Sequence, residues 1–187
     1  MSREWCFAEL TQEQAAKKGD LRMIALKIED LKTFTAQLFM GETFDYWLVR
    51  EANIVTFNSF TIDGRIRQGY YSDEELETNR IEEFSSWKTL RPFCYSLIRG
   101  RKLPESFQIT LQLSPEEKEK FIRRVKPDLP ADQIAALYLN IRYENHAAAC
   151  VTGTSLKIFM LDKQIEQEWD ETVRRYFRKL QIPCVEV

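Results

Sequence analysis

The chain has 187 residues, of which 44% are hydrophobic and 30% charged, and its formal net charge is −2 at pH 7. This size and composition allow a buried core without disulfide bonds, and the balanced charge excludes wholesale electrostatic binding to nucleic acid or to membranes. The four cysteines form no Cys-x-x-Cys pair, which is typical of a reducing compartment. Since no apolar run approaches membrane-spanning length, we expect a soluble, cytoplasmic protein without a membrane partner.

Residues 1–22 precede the first regular strand pattern, and two interpretations of them are open. Lys18-Gly19-Asp20 can be encoded by AAA-GGA-GAT, which contains a bacterial ribosome-binding sequence just upstream of the Met23 codon. Residues 1–22 are then a leader that follows from a start codon assigned too far upstream. The alternative is a genuine short helix that begins with a capping box at Thr11–Gln14 and ends at Gly19. We favour the leader interpretation.

Residues 23–71 are predicted to form a first β-α-β-β-β unit. Alternating apolar residues predict a strand at Met23–Ile28, and helical spacing predicts a helix at Asp30–Met40. Three strands should follow, at Phe44–Glu51, Ile54–Ile62 and Arg65–Tyr71. Asp63-Gly64 between the last two is the strongest signal for a type I′ hairpin, and Ala52-Asn53 is a weaker turn.

Residues 72–104 are predicted to be a helical insert. Ser72–Glu75 can cap a short acidic helix, and apolar residues between Leu90 and Ile98 lie at helical spacing before Gly100.

Residues 105–161 are predicted to repeat the β-α-β-β-β unit. Apolar and polar residues alternate in the predicted strand Phe107–Leu113, which indicates one buried face and one solvent face. The apolar residues are Phe107, Ile109, Leu111 and Leu113, and the polar ones are Ser106, Gln108, Thr110 and Gln112. Ser114-Pro115-Glu116-Glu117 combines an N-cap, a proline at the first helical position and a capping-box glutamate. Strands are predicted at Leu137–Tyr143, His146–Val151 and Ser155–Leu161, with a turn at Glu144-Asn145.

Residues 162–187 are predicted to form a C-terminal helix, Asp162–Leu180, and a tail. Its apolar stripe contains Ile165, Trp169 and Val173, and its charges match the helix dipole. The predicted fold class is therefore α+β, with a duplicated β-α-β-β-β unit, antiparallel sheets and helices packed on one face. Residues 23–187 should form one domain.

Few residues of this sequence suggest catalysis. The single histidine, His146, lies beside a predicted turn, and six glycines include no phosphate-binding loop or nucleophile motif. Cys94 and Cys150 occupy apolar positions, which favours core packing over nucleophilic chemistry. The acidic residues between Asp73 and Glu83 could bind a divalent ion, but their density in an insert favours a solvated surface over a metal site. We therefore predict no catalytic residue, no metal site and no cofactor.

One cationic cluster is a candidate for contact with nucleic acid or another anion. Its members lie within fifteen residues: Lys88, Arg91, Arg99, Arg101 and Lys102. Trp87, Phe93 and Tyr95 lie nearby and could stack on bases while the cations bind phosphates. The alternative, which we favour, is that Arg99–Lys102 stabilises the C-terminus of a helix.

Several strings resemble an uncharacterised bacterial family, a domain of unknown function found mainly in anaerobic Gram-positive bacteria. They are Met23–Ile28, Gly41–Asp45, Phe57–Arg65, Trp87–Cys94 and Thr152–Lys157. The resemblance covers the chain from about Met23 onward and implies no activity. The element order alone is also similar to a domain of the sliding DNA clamps, in which two such units pair about a pseudo-twofold axis.

Two classes of function remain open for this sequence. The first is a non-catalytic cytoplasmic binding or assembly protein that uses its sheet edges or Lys88–Lys102. A clamp-like protein is one member of this class. A protein of this class would bind a protein partner or itself, and nucleic acid is the less favoured partner. The second is an enzyme with a carboxylate- or metal-dependent site. The scarcity of histidine and glycine favours the first class.

Overall fold

The computed structural model describes residues 23–78, 81–157 and 162–187, so residues 1–22 and their two interpretations lie outside the described residues. The strands are β1 (Ala25–Ile28), β2 (Leu48–Val55), β3 (Ser59–Asp63), β4 (Ser106–Gln112), β5 (Ile134–Glu144), β6 (Ala147–Leu156) and β7 (Cys184–Glu186). The α-helices are α1 (Leu31–Phe39), α2 (Asp73–Thr78), α3 (Trp87–Ile98), α4 (Pro115–Val125) and α5 (Gln164–Lys179). Within these ranges, no helix has both the length and the apolar composition needed to cross a membrane.

All seven strands belong to one antiparallel sheet with the order β3-β2-β4-β5-β6-β1-β7. One face of this sheet is apolar, because Phe107, Ile109 and Leu111 of β4 and their neighbours on β5 are buried. Helices α1, α3, α4 and α5 all contribute buried side chains to the same core. The predicted α+β class, with an antiparallel sheet and helices on one face, is confirmed.

The other face of the sheet carries polar side chains that bond to one another across strands. Thr110 Oγ1 donates a hydrogen bond to Asn140 Oδ1 at 3.1 Å, and Thr61 Oγ1 donates to Asn53 Oδ1 at 2.7 Å. These bonds satisfy side chains that strand alternation places away from the core.

The two predicted repeat units do not occupy equivalent places in the sheet. Strand β4 pairs with β5 of its own unit, whereas β1 lies across the sheet from β2 and pairs with β6 and β7. Within the described residues, each unit also has two strands after its helix, where we predicted three. The element order is repeated, but strand pairing depends on contacts between residues that are distant in the sequence, and local periodicity does not predict such contacts. The topology gives no support to the predicted pseudo-twofold, clamp-like arrangement.

The predicted type I′ hairpin at Asp63-Gly64 is wrong. The β2–β3 hairpin turns instead at residues 56–58, and Ala52-Asn53, predicted as a turn, lies inside β2. Gly64 is buried at the end of β3, where a Cβ atom would lie 1.8 Å from the carbonyl oxygen of Val49. Glycine is thus required for close backbone approach.

The predicted strand Arg65–Tyr71 is also wrong. Arg65 forms an isolated bridge with Phe84, and Gln68–Tyr70 forms a 3₁₀ turn. Between Arg65 and Tyr71 only Ile66 is an aliphatic residue, so this segment has no continuous apolar face to bury on a sheet. The predicted strand at Phe44–Glu51 begins later, at Leu48, because the residues before it form turns.

The second unit follows its sequence pattern closely. Ser114 caps α4 by accepting a hydrogen bond from the Glu117 amide at 3.3 Å. Asn145 and His146 both have positive φ, of 52° and 60°, as a two-residue type I′ turn between β5 and β6 requires. The two strands predicted at His146–Val151 and Ser155–Leu161 are one strand, β6, as far as Leu156; residues 158–161 lie outside the described residues.

The predicted solvent face of β4 needs one correction. Gln108 is exposed as expected, but Gln112 is buried. Gln112 borders a concavity that Phe84, Lys118 and Tyr138 also line, so neighbouring chain covers the end of this face.

The acidic helix and the C-terminal helix form as predicted, and a seventh strand follows. Ser72 caps α2, since its Oγ accepts from the Glu75 amide at 3.3 Å and its amide donates to Glu75 Oε2 at 2.9 Å. Ile165, Trp169 and Val173 of α5 are buried. The tail then pairs with β1 as β7, a short strand that the sequence did not predict.

A pair of substitutions on β4 tests the assignment of its faces. We expect Leu111→Asp to destabilise the protein by more than about 4 kcal/mol, because an unpaired charge would enter the core. Gln108→Asp should leave thermal stability nearly unchanged, since Gln108 is exposed and lies opposite Arg142. Equal losses of melting temperature, measured by circular dichroism, would show that the faces are wrongly assigned.

A pair of glycine substitutions tests the role of Gly64. Gly64→Ala should lower stability by about 2 kcal/mol, because the new methyl group meets the Val49 carbonyl. Gly69→Ala is the control: a Cβ there meets nothing within 4 Å, and we expect a change of less than about 0.5 kcal/mol in urea unfolding. Two equally mild variants would contradict the close approach at Gly64.

Candidate functional site

Helix α3 carries the predicted cationic cluster and separates it into two groups. Lys88 lies in the first turn, whereas Arg99 ends the helix and Arg101 and Lys102 follow it. A rise of 1.5 Å per residue places the backbone of Lys88 and Arg99 about 16 Å apart along the axis. The structure therefore brings Arg99, Arg101 and Lys102 to one end of α3 and leaves Lys88 at the other.

Arg91 is engaged inside the protein. Its Nη2 lies 3.2 Å from each carboxylate oxygen of Asp45, and its Nη1 donates to the carbonyl oxygen of Gly41. Asp45 is buried and Arg91 largely so. This ion pair joins α3 to the loop of residues 41–47, and the guanidinium is committed to that contact.

The aromatic residues near the cluster have three different environments. Trp87 is fully buried, and its indole Nε1 donates to the Leu38 carbonyl oxygen at 2.7 Å. Phe93 is exposed, and Tyr95 is half-buried. Trp87 is therefore part of the core and cannot stack on a base.

A cleft of about 800 Å³ lies beside the N-terminus of α3, between the loop of residues 43–48 and helices α4 and α5. We call it the aromatic cleft, after the buried or half-buried side chains of its floor: Trp47, Leu48, Phe121, Trp169, Val173 and Tyr176. Its size falls within the range of small-molecule sites in proteins.

Hydrogen bonds hold the floor of the aromatic cleft in place. Tyr176 Oη donates to the Thr43 carbonyl oxygen at 2.6 Å and accepts from Trp47 Nε1 at 3.4 Å. Trp169 Nε1 donates to the Tyr138 carbonyl oxygen at 3.0 Å. Burial raises the pKa of the Tyr176 phenol, so this group stays protonated at neutral pH and can keep donating.

Charges of both signs surround the mouth of the aromatic cleft. Lys120 pairs with Glu117 at 2.7 Å, and Arg124 Nη2 donates to Thr172 Oγ1 at 3.4 Å. Lys88 and Glu82 also line the cleft, and neither makes an ion pair or a side-chain hydrogen bond with the described residues. Glu116 lines the cleft as well and also has no ion pair or side-chain hydrogen bond with the described residues, so Lys88 and two carboxylates are free to meet a ligand.

A second concavity, of about 570 Å³, lies at the other end of α3, and we call it the apolar groove. Helix α1, the last turn of α3 and residues 103–104 form its walls, and Phe39, Phe107 and Tyr143 form its floor. The rings of Phe107 and Tyr143 are stacked, with centroids 5.0 Å apart. Lys32, Arg99 and His146 line its rim.

The described cysteines are poor nucleophiles. Burial raises the pKa of the Cys94 thiol to about 12 and raises the pKa of the Cys150 thiol well above its ordinary value. Cys184 is half-buried, and burial raises its pKa too. In the described part of the chain, no three His, Cys, Asp or Glu side chains are grouped so that they could hold a metal ion.

The aromatic cleft was not predicted from the sequence. Its side chains come from four separate segments: the loop of residues 43–48, residues 82–88, α4 and α5. The only signal was the concentration of aromatic residues, and helical spacing assigned Trp169 and Val173 to core packing. The apolar groove was partly indicated, since Arg99 and Tyr95 belong to the predicted cluster and its surroundings.

The fold and these two concavities define an α+β protein with one helix-covered antiparallel sheet and two surface sites at opposite ends of one helix. The model of the family of unknown function DUF5721 matches residues 37–184, and the chain belongs to this family. Comparisons with curated proteins and with solved structures find no match. The expected membership of an uncharacterised family is confirmed, and the family's bacterial range stays a prediction.

The different environments of Arg91 and Lys88 generate a stability test. Arg91→Ala leaves Asp45 buried without its cation, so we expect a loss of about 3 kcal/mol in the free energy of unfolding. Lys88→Ala, three residues away, removes an exposed side chain and should change stability by less than about 0.5 kcal/mol. Similar unfolding curves for the two variants would contradict the structural role of Arg91.

Proposed function

We propose that this protein is a non-catalytic binding protein that holds a small zwitterionic molecule with an apolar body in the aromatic cleft. Amino acids and short peptides belong to this chemical class. The observation that carries the proposal is a preformed apolar floor beside two charges of opposite sign, Lys88 and Glu82, which pair with none of the described residues.

The rigidity of the floor supports a binding role. Trp47, Tyr176 and Thr43 are already linked by hydrogen bonds, and the Trp47 and Trp169 rings lie 6.0 Å apart in direct packing. A ligand that enters the cleft therefore orders few side chains. A preorganised site loses less free energy on binding, because little conformational entropy remains to be lost.

The charges at the mouth support a zwitterion over a simple anion or cation. Lys88 can bind a carboxylate and Glu82 an ammonium group, whereas Lys120 is already occupied by Glu117. A ligand with a single charge would leave either Lys88 or Glu82 without a partner as water is excluded. The apolar body of the ligand would cover the aromatic floor.

The state of the reactive groups supports binding over catalysis. Asp45 lines the cleft, but its carboxylate is paired with Arg91, and the Tyr176 hydroxyl is committed to Thr43. A general acid or base needs a group that can exchange a proton with the substrate, and the unpaired Glu82 carboxylate is instead held by the ligand's ammonium group in the proposed complex. The clamp-like role is not part of this proposal, because the strand order gives no pair of equivalent units.

A ligand screen tests the proposed function. The full chain is heated with each of the common amino acids and with a panel of dipeptides, and its melting temperature is recorded. We expect one or more apolar members of the panel to raise it through preferential binding to the folded state. Isothermal titration of the best compound should then show binding about tenfold weaker for Lys88→Ala and for Glu82→Ala.

Lys102→Ala is the matched control, since it removes an exposed cation at the other end of α3. Its affinity should equal that of the unchanged protein. If no member of the panel raises the melting temperature, or if Lys102→Ala weakens binding as much as Lys88→Ala, the proposed site is wrong. Conversion of the bound compound over time would favour the enzyme alternative.

A further inference from the structure

We infer that the apolar groove binds an acidic amphipathic helix of a partner protein. This inference goes beyond the proposed function, because the groove and the aromatic cleft lie at opposite ends of α3. It rests on the composition of the groove, on the charges around it and on the strands beneath it.

Two apolar side chains of the groove are strongly exposed to water. Met40 is 64% exposed and Leu103 71% exposed, and both side chains line the groove. A small molecule within the groove would cover only part of these two exposed side chains. A longer partner that lies along the groove would cover them, and exposed methionine is common at protein-binding surfaces.

Both charged side chains that line the groove are cations. Lys32 and Arg99 line the groove, Arg101 and Lys102 follow in the chain, and none of these four makes an ion pair with the described residues. The described residues that line the groove include no acidic side chain, and Glu105 lines an adjoining hollow instead. Acidic residues beside the apolar stripe of a partner would complement these cations.

The partner segment should be helical rather than extended. Phe107 and Tyr143 lie on β4 and β5, which are interior strands with neighbours on both sides. A strand cannot be added to the sheet at this place, because its backbone groups are already paired. Helices α1 and α3 instead leave a channel between them, and an amphipathic helix fits such a channel through residues at i, i+3, i+4 and i+7.

Three designed peptides test this inference against the full chain. The first is a labelled helix of about 18 residues with leucines on one face and glutamates beside them. The second has lysines in place of the glutamates, and the third has serines in place of the leucines. By fluorescence anisotropy, we expect the first peptide to bind at least about tenfold more tightly than either of the others.

Variants of the protein locate the binding. Leu103→Asp and the double variant Lys32→Glu with Arg99→Glu should each weaken binding of the first peptide at least about tenfold. Each change is on an exposed side chain, so the variants should have nearly the same melting temperature as the unchanged protein. Lys88→Glu, at the other end of α3, should bind the peptide as the unchanged protein does.

Several results would overturn the inference. They are a failure of the first peptide to bind, equal binding of the glutamate and lysine peptides, and equal weakening by Lys88→Glu. Single-stranded DNA or RNA that binds with a steep salt dependence and is indifferent to Leu103→Asp would instead assign Arg99, Arg101 and Lys102 to nucleic acid.

Discussion

Both concave sites depend on the buried, hydrogen-bonded position of the Trp87 side chain. Its ring is fully buried against Phe39, its indole Nε1 donates to the Leu38 carbonyl oxygen at 2.7 Å, and its backbone amide donates to the Trp47 carbonyl oxygen at 2.7 Å. One residue thus joins α1, the loop before β2 and the start of α3. A buried indole needs such a partner for its N–H, so this buried position is specific for tryptophan as well as apolar.

The two sites at the ends of α3 differ in chemistry because different elements complete them. At the N-terminal end, α4 and α5 add aromatic side chains and charges of both signs to Lys88 and Glu82. At the C-terminal end, α1 and residues 103–104 add apolar side chains beside Arg99. Since Arg91 joins α3 to residues 41–47 through Asp45, the helix has fixed contacts along its length.

The parts of the fold that the sequence predicted are those that short-range physics determines. Alternation over Phe107–Leu111 located the buried face of β4, and Ser114 marked the start of α4 through its cap. The place of β1 beyond β6 could not be predicted, because it follows from pairing between residues more than a hundred positions apart. Gly64 is ambiguous in the sequence, because a close backbone approach and a hairpin turn both select glycine. The aromatic cleft, built from four segments, has no local pattern.

Hydrogen exchange at the Trp87 indole tests whether the contacts of this side chain fix α3 to the body of the protein. The indole proton can be followed by NMR alongside the backbone amide of Ile109 in the core of β4. If the Trp87 indole becomes exposed to solvent only when the whole protein unfolds, the two protons should show the same free energy of opening. Much faster exchange at Trp87, with Ile109 still protected, would mean that α3 detaches locally and that the two sites are not held by one rigid helix.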